Sequence, residues 1–269
     1  MKPLPAFIVP RATTVVLSLL AATSRATDYW LVKTETTAGN YSSISGYGSD
    51  NSNFSGWTTT PGGTEKEPFG EGDFRFGAVD PDGVYHVDGT GLDLGMCVRL
   101  MGETGQGSYA FRGGALVFEG GKACLNNKTR NTFTVTNLCV VSGTTAEFRT
   151  GDASNTTVTY EGTNWVVEAG AALFFGSGRD GWRTAVLKAP VTGAGTIGGD
   201  FGENDGDATS RGRFSIQGDL SGFTGRIVAC EKGINTTADT TTVSNAYAMQ
   251  TLAFADARAV PQRSEEHTV

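Results

Sequence analysis

The chain has 269 residues, with 28 acidic and 21 basic side chains, a formal net charge of −7 and 38 glycines. This acidity argues against nucleic acid or an anionic membrane surface as the main partner, because both require basic patches. Glycine reaches about twice its usual share, while charged residues, at 18%, fall below the usual quarter or so. Turns need glycine, and strands favour valine, threonine and aromatic residues, so the composition predicts an all-β protein.

Residues 1–26 have the pattern of a secretory signal peptide. Lys2 and Arg11 supply positive charge, residues 12–22 form an apolar run, and Ser24-Arg25-Ala26 offers a small-x-small cleavage site. An uncleaved anchor is the alternative, but the apolar run is well short of the roughly 20 residues that a membrane-spanning helix needs. We therefore expect export, with cleavage after Ala26, to the outside of the cell or to its surface.

Residues 27–83 are rich in serine, threonine, asparagine and glycine and are predicted to form a loop-rich N-terminal capping region. This region also contains aromatic residues, which favour packing over disorder. They are Trp30, Tyr41, Phe54 and Trp57.

Residues 84–262 are predicted to form a β-solenoid repeat region. Short strand-like runs separated by glycine turns occur at 91–100, 109–118, 132–141, 156–160, 165–168, 171–175, 184–189, 213–216 and 224–230. The major runs recur about every 20 to 25 residues, as expected when each repeat is one coil of a parallel solenoid. The fragment at 113–118 is echoed at 170–175. A β-sandwich or jelly roll, which also has many short strands with glycine turns, is the alternative.

Residues 263–269 are set apart from this region. Their sequence Arg263-Ser264-Glu265-Glu266-His267-Thr268 matches the translation of a short-read sequencing adapter, an ordinary polar tail being the alternative. The natural protein is then expected to continue beyond Gln262. Removing residues 1–26 and 263–269 removes four positive and two negative side chains, so the formal charge moves from −7 to −9.

Three segments resemble autotransporter-type passenger proteins with associated β-strand repeats, a group of glycine- and threonine-rich bacterial surface proteins. They are residues 165–175, the Thr-Gly-Ala-Gly-Thr-Ile segment at 192–197 and the Gly-Asp-Leu-Ser-Gly-Phe-Thr-Gly segment at 218–225. The resemblance implies a right-handed parallel β-helix at the cell surface, adhesive or structural in many members and enzymatic in a minority. Attachment to an outer membrane is expected only through a C-terminal part missing from this sequence.

The four cysteines allow three disulfide pairings. They are Cys97, Cys124, Cys139 and Cys230. Cys139 and Cys230 lie in apolar strand-like runs, where a cysteine behaves as a small buried hydrophobic residue. We predict buried free thiols, with at least one disulfide as the alternative.

Histidine is nearly absent, with His86 and His267 the two in the sequence. His86 alternates with apolar residues, so we predict a strand position facing solvent or a neighbour, not a catalytic or zinc-binding role. Paired carboxylates could cleave a polysaccharide, but most of them stand beside glycine or proline, where aspartate caps its own backbone in turns. These candidates are Asp80 with Asp82, Asp88 with Asp93, and the cluster Asp200, Glu203, Asp205 and Asp207.

That last cluster is also a weak calcium candidate, since several hard oxygen ligands lie on a glycine-containing segment. Its spacing matches neither an EF-hand loop nor the calcium-binding nonapeptide. Residues 193–198 match GxGxxG formally, but no helix is predicted after them, so we expect no dinucleotide site. No other cofactor and no catalytic residue is predicted.

We therefore expect a non-enzymatic secreted or cell-surface scaffold or adhesin segment. Its face would present threonine, asparagine and aromatic side chains to glycans or cell-surface components. The alternative is an extracellular polysaccharide-active β-helix enzyme that uses paired carboxylates in a groove lined by aromatics such as Trp165 or Trp182.

Overall fold

The structure, a computed structural model, describes residues 26–32, 57–65, 67, 78–90, 97–99, 108–127, 131–150, 156–177, 182–200, 211–228 and 251–254. Every regular element in these ranges is a β-strand. Strands from successive passes of the chain pair in parallel, so the predicted parallel solenoid is confirmed and the sandwich alternative is wrong. No helix in the described ranges has the length and hydropathy needed to span a membrane. Residues 1–25 of the predicted signal and the tail at 263–269 lie outside them.

The strands form three ladders that we call the first, second and third sheets. The first sheet contains β1 (Asp28–Leu31), β2 (Trp57–Thr58), β3 (Val84–Gly89), the start of β6 (Ala115–Asn127), β8 (Asn137–Val140), β11 (Asn164–Val167) and β14 (Val191–Gly193). The second contains β4 (Cys97–Arg99), the end of β6, β9 (Thr145–Thr150), β12 (Ala172–Ser177), β15 (Thr196–Asp200) and β17 (Arg226–Val228). The third contains β5 (Tyr109–Phe111), β7 (Thr132–Val135), β10 (Thr156–Glu161), β13 (Trp182–Leu187), β16 (Arg211–Ile216) and β18 (Thr251–Phe254).

Each coil visits the three sheets in the same order, most regularly in the three consecutive coils β8–β10, β11–β13 and β14–β16. Partners on the first sheet are 22 residues apart for Leu116 and Leu138 but 31 apart for Val84 and Ala115. The coil length therefore varies more than the expected 20 to 25 residues. Connections between strands absorb the difference, because strand register fixes only the paired residues.

The structure changes the predicted bounds of two strand-like runs and the interpretation of the echoed fragments. The predicted run at 109–118 is divided between β5 and β6, and the run at 132–141 between β7 and β8. The echoed fragments occupy different faces, since 115–118 lies in the first sheet and 172–175 in the second. They are similar strand starts and not equivalent positions of a repeat.

The corner between the first and second sheets is built on glycine. In two successive coils, tight turns run from Val141 to Thr144 and from Glu168 to Ala171, each closed by a backbone hydrogen bond of 3.0 and 2.9 Å respectively. The third residue of each turn has positive φ, 80° at Gly143 and 79° at Gly170, a conformation that other residues adopt only at a cost. The Gly143 amide donates to the Gly170 carbonyl at 3.2 Å, so the turns stack as the coils do.

The core fills the space between the sheets with aromatic and aliphatic side chains from alternate strand positions. Phe148 occupies its middle, fully buried, with ring centroids 5.3 Å from Phe133 and 5.6 Å from Tyr160. Phe175 continues the stack to Phe214 at 5.2 Å. The large side chains of consecutive coils therefore pack on one another along the solenoid axis.

The region predicted as an N-terminal cap contributes to the first sheet. β1 extends the parallel ladder next to β3, and β2 pairs with β1 in the antiparallel direction. Trp57 is fully buried and packs edge to face on Tyr85 at 4.9 Å. The packing expected of the aromatic residues thus holds for Trp57, while Tyr41 and Phe54 lie outside the described residues.

Candidate functional site

The outer face of the first sheet is the most distinctive accessible surface of the described residues. Strand alternation places core residues on one side and a register-aligned row on the other. Most members of this row are half-buried, and the last is exposed. We call it the outer stripe; it consists of Trp30, His86, Val117, Cys139, Val166 and Thr192.

His86 is the best-contacted polar residue of the outer stripe. Its Nε2 lies 3.2 Å from Asp28 Oδ1 and its Nδ1 lies 3.4 Å from Glu119 Oε2. The first contact has hydrogen-bond geometry, whereas the second has only the distance of an ion pair and leaves Nδ1 without a hydrogen bond. The imidazole side chain is 18% exposed, so the ring is held between two carboxylates near the surface.

Trp30 completes this cluster. Its ring stacks on the imidazole of His86, with centroids 5.1 Å apart and planes inclined by 14°. The contact follows from strand register, because Trp30 of β1 is the direct partner of His86 in β3. His86 lies in strand β3 with its side chain against Trp30, so the prediction of a strand position facing solvent or a neighbour is confirmed.

The chemistry available to the cluster is limited by its geometry. The two carboxylates approach opposite nitrogens of one ring, so they do not converge on a common point where an ion could bind. Consistent with this, no group of three or more potential metal ligands is found among the described residues. An aromatic ring with acidic neighbours instead provides a flat apolar contact and hydrogen-bond acceptors.

The outer face of the third sheet has a different character. Between its core positions lie five threonines, of which Thr157 is exposed and the other four are half-buried. Register places Thr159 beside Thr132 and Thr157 beside Thr184. They are Thr132, Thr134, Thr157, Thr159 and Thr184, which we call the threonine face. At its edge, Lys188 Nζ lies 3.3 Å from Glu161 Oε1. The expected presentation of threonine side chains on a solenoid face is therefore found here.

The outer side of the second sheet is less accessible. Glu147, Phe174 and Val228 lie on the side opposite the core yet are 1%, 5% and 7% exposed. These positions are covered, so they do not form a free surface. Other positions on this side differ, since Thr145, Ala172 and Thr196 are half-buried and Arg226 is exposed. The third sheet also has buried outer positions, at Val186 and Ser215, so the first sheet has the most continuous accessible face of the described solenoid.

The predicted carboxylate pairs are used mainly in turns. Asp80 Oδ1 accepts the amide of Asp82 at 2.9 Å, and Asp88 Oδ1 accepts the amide of Thr90 at 2.8 Å. Asp93 lies outside the described residues. Aspartates that cap their own backbone in this way have one carboxylate oxygen committed to the fold.

The weak calcium candidates are described only in part. Asp200 ends β15, where its backbone pairs with Gly176, whereas Glu203, Asp205 and Asp207 lie outside the described residues. Calcium binding by this cluster stays a prediction.

Trp165 has a structural role that the sequence analysis did not assign. It is fully buried, and its Nε1 donates to the carbonyl of Val135 at 2.8 Å, joining the first sheet to the third across the core. It cannot line a surface groove, so the expectation that it would do so is wrong. The other aromatic named for such a groove, Trp182, lies in β13, and its side chain lies outside the described part of the chain.

The cysteines fall into different environments. Cys139 has a free thiol in the outer stripe, half-buried between Val117 and Val166. Burial, and then the nearby Glu168 carboxylate, raise the pKa of this thiol to about 11, which suppresses its reactive thiolate form. The predicted free thiol is found at this position, while Cys230 lies outside the described residues.

The glycine motif at 193–198 forms a corner of the solenoid. Gly193 has a φ of 104°, and a Cβ there would collide with the carbonyl oxygen of Val167 in the preceding coil. The segment at 218–225 also forms a turn, in which Asp219 Oδ1 accepts a hydrogen bond from the amide of Ser221 at 2.8 Å and the side chain of Phe223 is buried. Strand β15 (Thr196–Asp200) begins within the motif and continues past it, where a dinucleotide site would need a helix, so the motif serves coil stacking.

Neither protein-family models, nor curated proteins, nor solved structures yielded a match when compared with this chain.

Proposed function

We propose that this chain is the repeat segment of an exported, passenger-like surface protein that acts as a scaffold or adhesin. The observation that carries the proposal is that a continuous aromatic core supports two rows of accessible side chains on the outside of the solenoid, the outer stripe and the threonine face. Stacked coils of this kind produce long surfaces from short repeats. The secretory pattern of residues 1–26 and the acidic composition agree with a place at or outside the cell surface.

The outer stripe is the proposed contact surface. It combines the Trp30 and His86 rings with the apolar side chains of Val117 and Val166, and acidic residues stand beside it. Aromatic and aliphatic groups pack on the apolar faces of sugar rings, while carboxylates accept hydrogen bonds from hydroxyl groups. A neutral glycan or a polar component of a cell surface fits this chemistry better than an anionic polymer.

Binding of the full chain to a panel of neutral and acidic polysaccharides and to whole cells tests the proposal. The double variant Val117→Thr, Val166→Thr keeps side-chain shape and strand propensity but removes apolar contact. Two lost methyl contacts should weaken binding about tenfold. A matched control is Thr157→Ala with Thr184→Ala on the threonine face, which should leave binding unchanged.

Two results would count against the proposal. Equal losses in both double variants would mean that the outer stripe is not the contact surface. Release of new reducing ends from any polysaccharide in the panel would favour the enzymatic alternative, in which carboxylates and not the outer stripe carry the function.

A further inference from the structure

Two of the four cysteines are brought side by side by the register of the second sheet. β4 and the end of β6 are parallel neighbours, and Cys97 is the direct partner of Cys124. The next pair, Val98 and Leu125, continues the same register. The two cysteines therefore occupy equivalent positions on consecutive coils.

The spacing of these positions suits a disulfide. Neighbouring strands lie about 4.7–4.9 Å apart, and Cα atoms joined by a disulfide are usually about 4.4–6.8 Å apart. Directly paired residues on parallel strands also belong to the same face of their sheet. Cys124 is the partner of Glu147, which belongs to the outer side of the second sheet, so both cysteine positions belong to that side.

The other cysteines offer no competing arrangement within the described residues. Cys139 is in the first sheet, its register partners are Val117 and Val166, and its thiol is free. Of the three complete pairings that four cysteines allow, one joins Cys97 to Cys124, and the fold supports this single link with the Cys139 thiol left free.

We infer that Cys97 and Cys124 form a disulfide that clamps two consecutive coils at the N-terminal end of the solenoid. A small-molecule disulfide such as oxidised glutathione supplies the oxidant. One cysteine thiolate attacks it, forming a mixed disulfide and releasing one small thiol; the second cysteine thiolate then attacks the mixed disulfide and releases another. The two cysteines lose two electrons and two protons in total, and the oxidant becomes two thiols. This inference depends on strand register and not on the proposed adhesive function.

Mapping the linkage in the full chain tests it directly. The protein is equilibrated in a glutathione redox buffer, its free thiols are alkylated in denaturant, and unreduced peptides are analysed by mass spectrometry. The expected product is a peptide pair joining Cys97 to Cys124, with Cys139 alkylated. Alkylation of both Cys97 and Cys124, or linkage of either one to a different cysteine, would overturn the inference.

Thermal unfolding separates a covalent clamp from ordinary packing. Cys97→Ser, Cys124→Ser and the double variant should all lower the melting temperature by the same amount, about 10 °C, under oxidising conditions. In excess reductant the wild type should fall to the level of the variants. The control Cys139→Ser should keep the linked peptide pair. Additive losses in the two single variants, or losses that persist in reductant, would mean that no disulfide is formed.

Discussion

Replacing Phe148 by alanine should remove the centre of the aromatic core. Phe148 is fully buried, and its ring lies 5.3 to 6.1 Å from five aromatic rings of the described core. These rings belong to Phe118, Phe133, Tyr160, Trp165 and Phe175. A buried phenylalanine truncated to alanine costs about 3–5 kcal/mol, because transfer energy is lost and a cavity remains. At about 2–4 °C for each kcal/mol, the melting temperature should fall by roughly 6–20 °C.

The exposed Phe254 provides a matched control for this substitution. Its side chain is 42% exposed at the end of the third sheet, so Phe254→Ala should cost about 1 kcal/mol or less. Denaturant unfolding followed by circular dichroism measures both variants. Hydrogen exchange should show that Phe148→Ala loosens mainly β6 to β12, because a coil contacts chiefly its neighbours. Equal destabilisation by the two substitutions would refute the assignment of Phe148 to the core.

Three further predictions concern a corner, a turn and a thiol. Gly193→Ala should destabilise the fold more than Gly170→Ala, since both positions have positive φ but only a Cβ at 193 would collide with the backbone of Val167. Denaturant unfolding should show that Gly170→Ala lowers the free energy of unfolding by about 1–2 kcal/mol. A larger loss for Gly170→Ala than for Gly193→Ala would contradict the contact between Gly193 and the preceding coil. Tyr85→Phe should lower the free energy of unfolding by about 1–3 kcal/mol, because the hydroxyl accepts hydrogen bonds from the amides of Val79 and Asp80 at 2.8 and 2.7 Å. Without this acceptor, hydrogen exchange at the two amides should accelerate. Cys139 should resist alkylation in the native protein at pH 8 and react as the pH approaches 11, in line with its raised pKa. Because the thiol ionises in the unfolded chain but not in the folded one between pH 9 and 11, the free energy of unfolding should fall as the pH rises through that window. Rapid labelling at pH 8 would contradict the burial of the thiol.

The all-β class and the solenoid could be predicted from sequence because both depend on local patterns, namely alternating apolar residues, glycine turns and strand-like runs that recur along the chain. Alternation in a segment such as Val84 to Val87 indicates a strand, and the glycine pair Gly113-Gly114 marks a bend before β6. The signal is not general, because the pair Gly198-Gly199 lies inside β15. The prediction for His86 also rested on alternation, and the structure confirms it. The resemblance to passenger repeats pointed to segments around 193 and 218 that do form corners of the solenoid. The export route and the adhesive role stay predictions.

The tertiary structure decided what alternation leaves open, namely which side of each strand faces inward and which residues are neighbours. The pattern around Trp165 fits either orientation, and only packing against the third sheet places its ring in the core. The pairing of Cys97 with Cys124 and the stacking of Trp30 on His86 depend on register between coils of unequal length. Local sequence specifies where a strand forms and where the chain turns. Register depends on packing between residues of different coils, which are distant in sequence, so it cannot be predicted from a short segment.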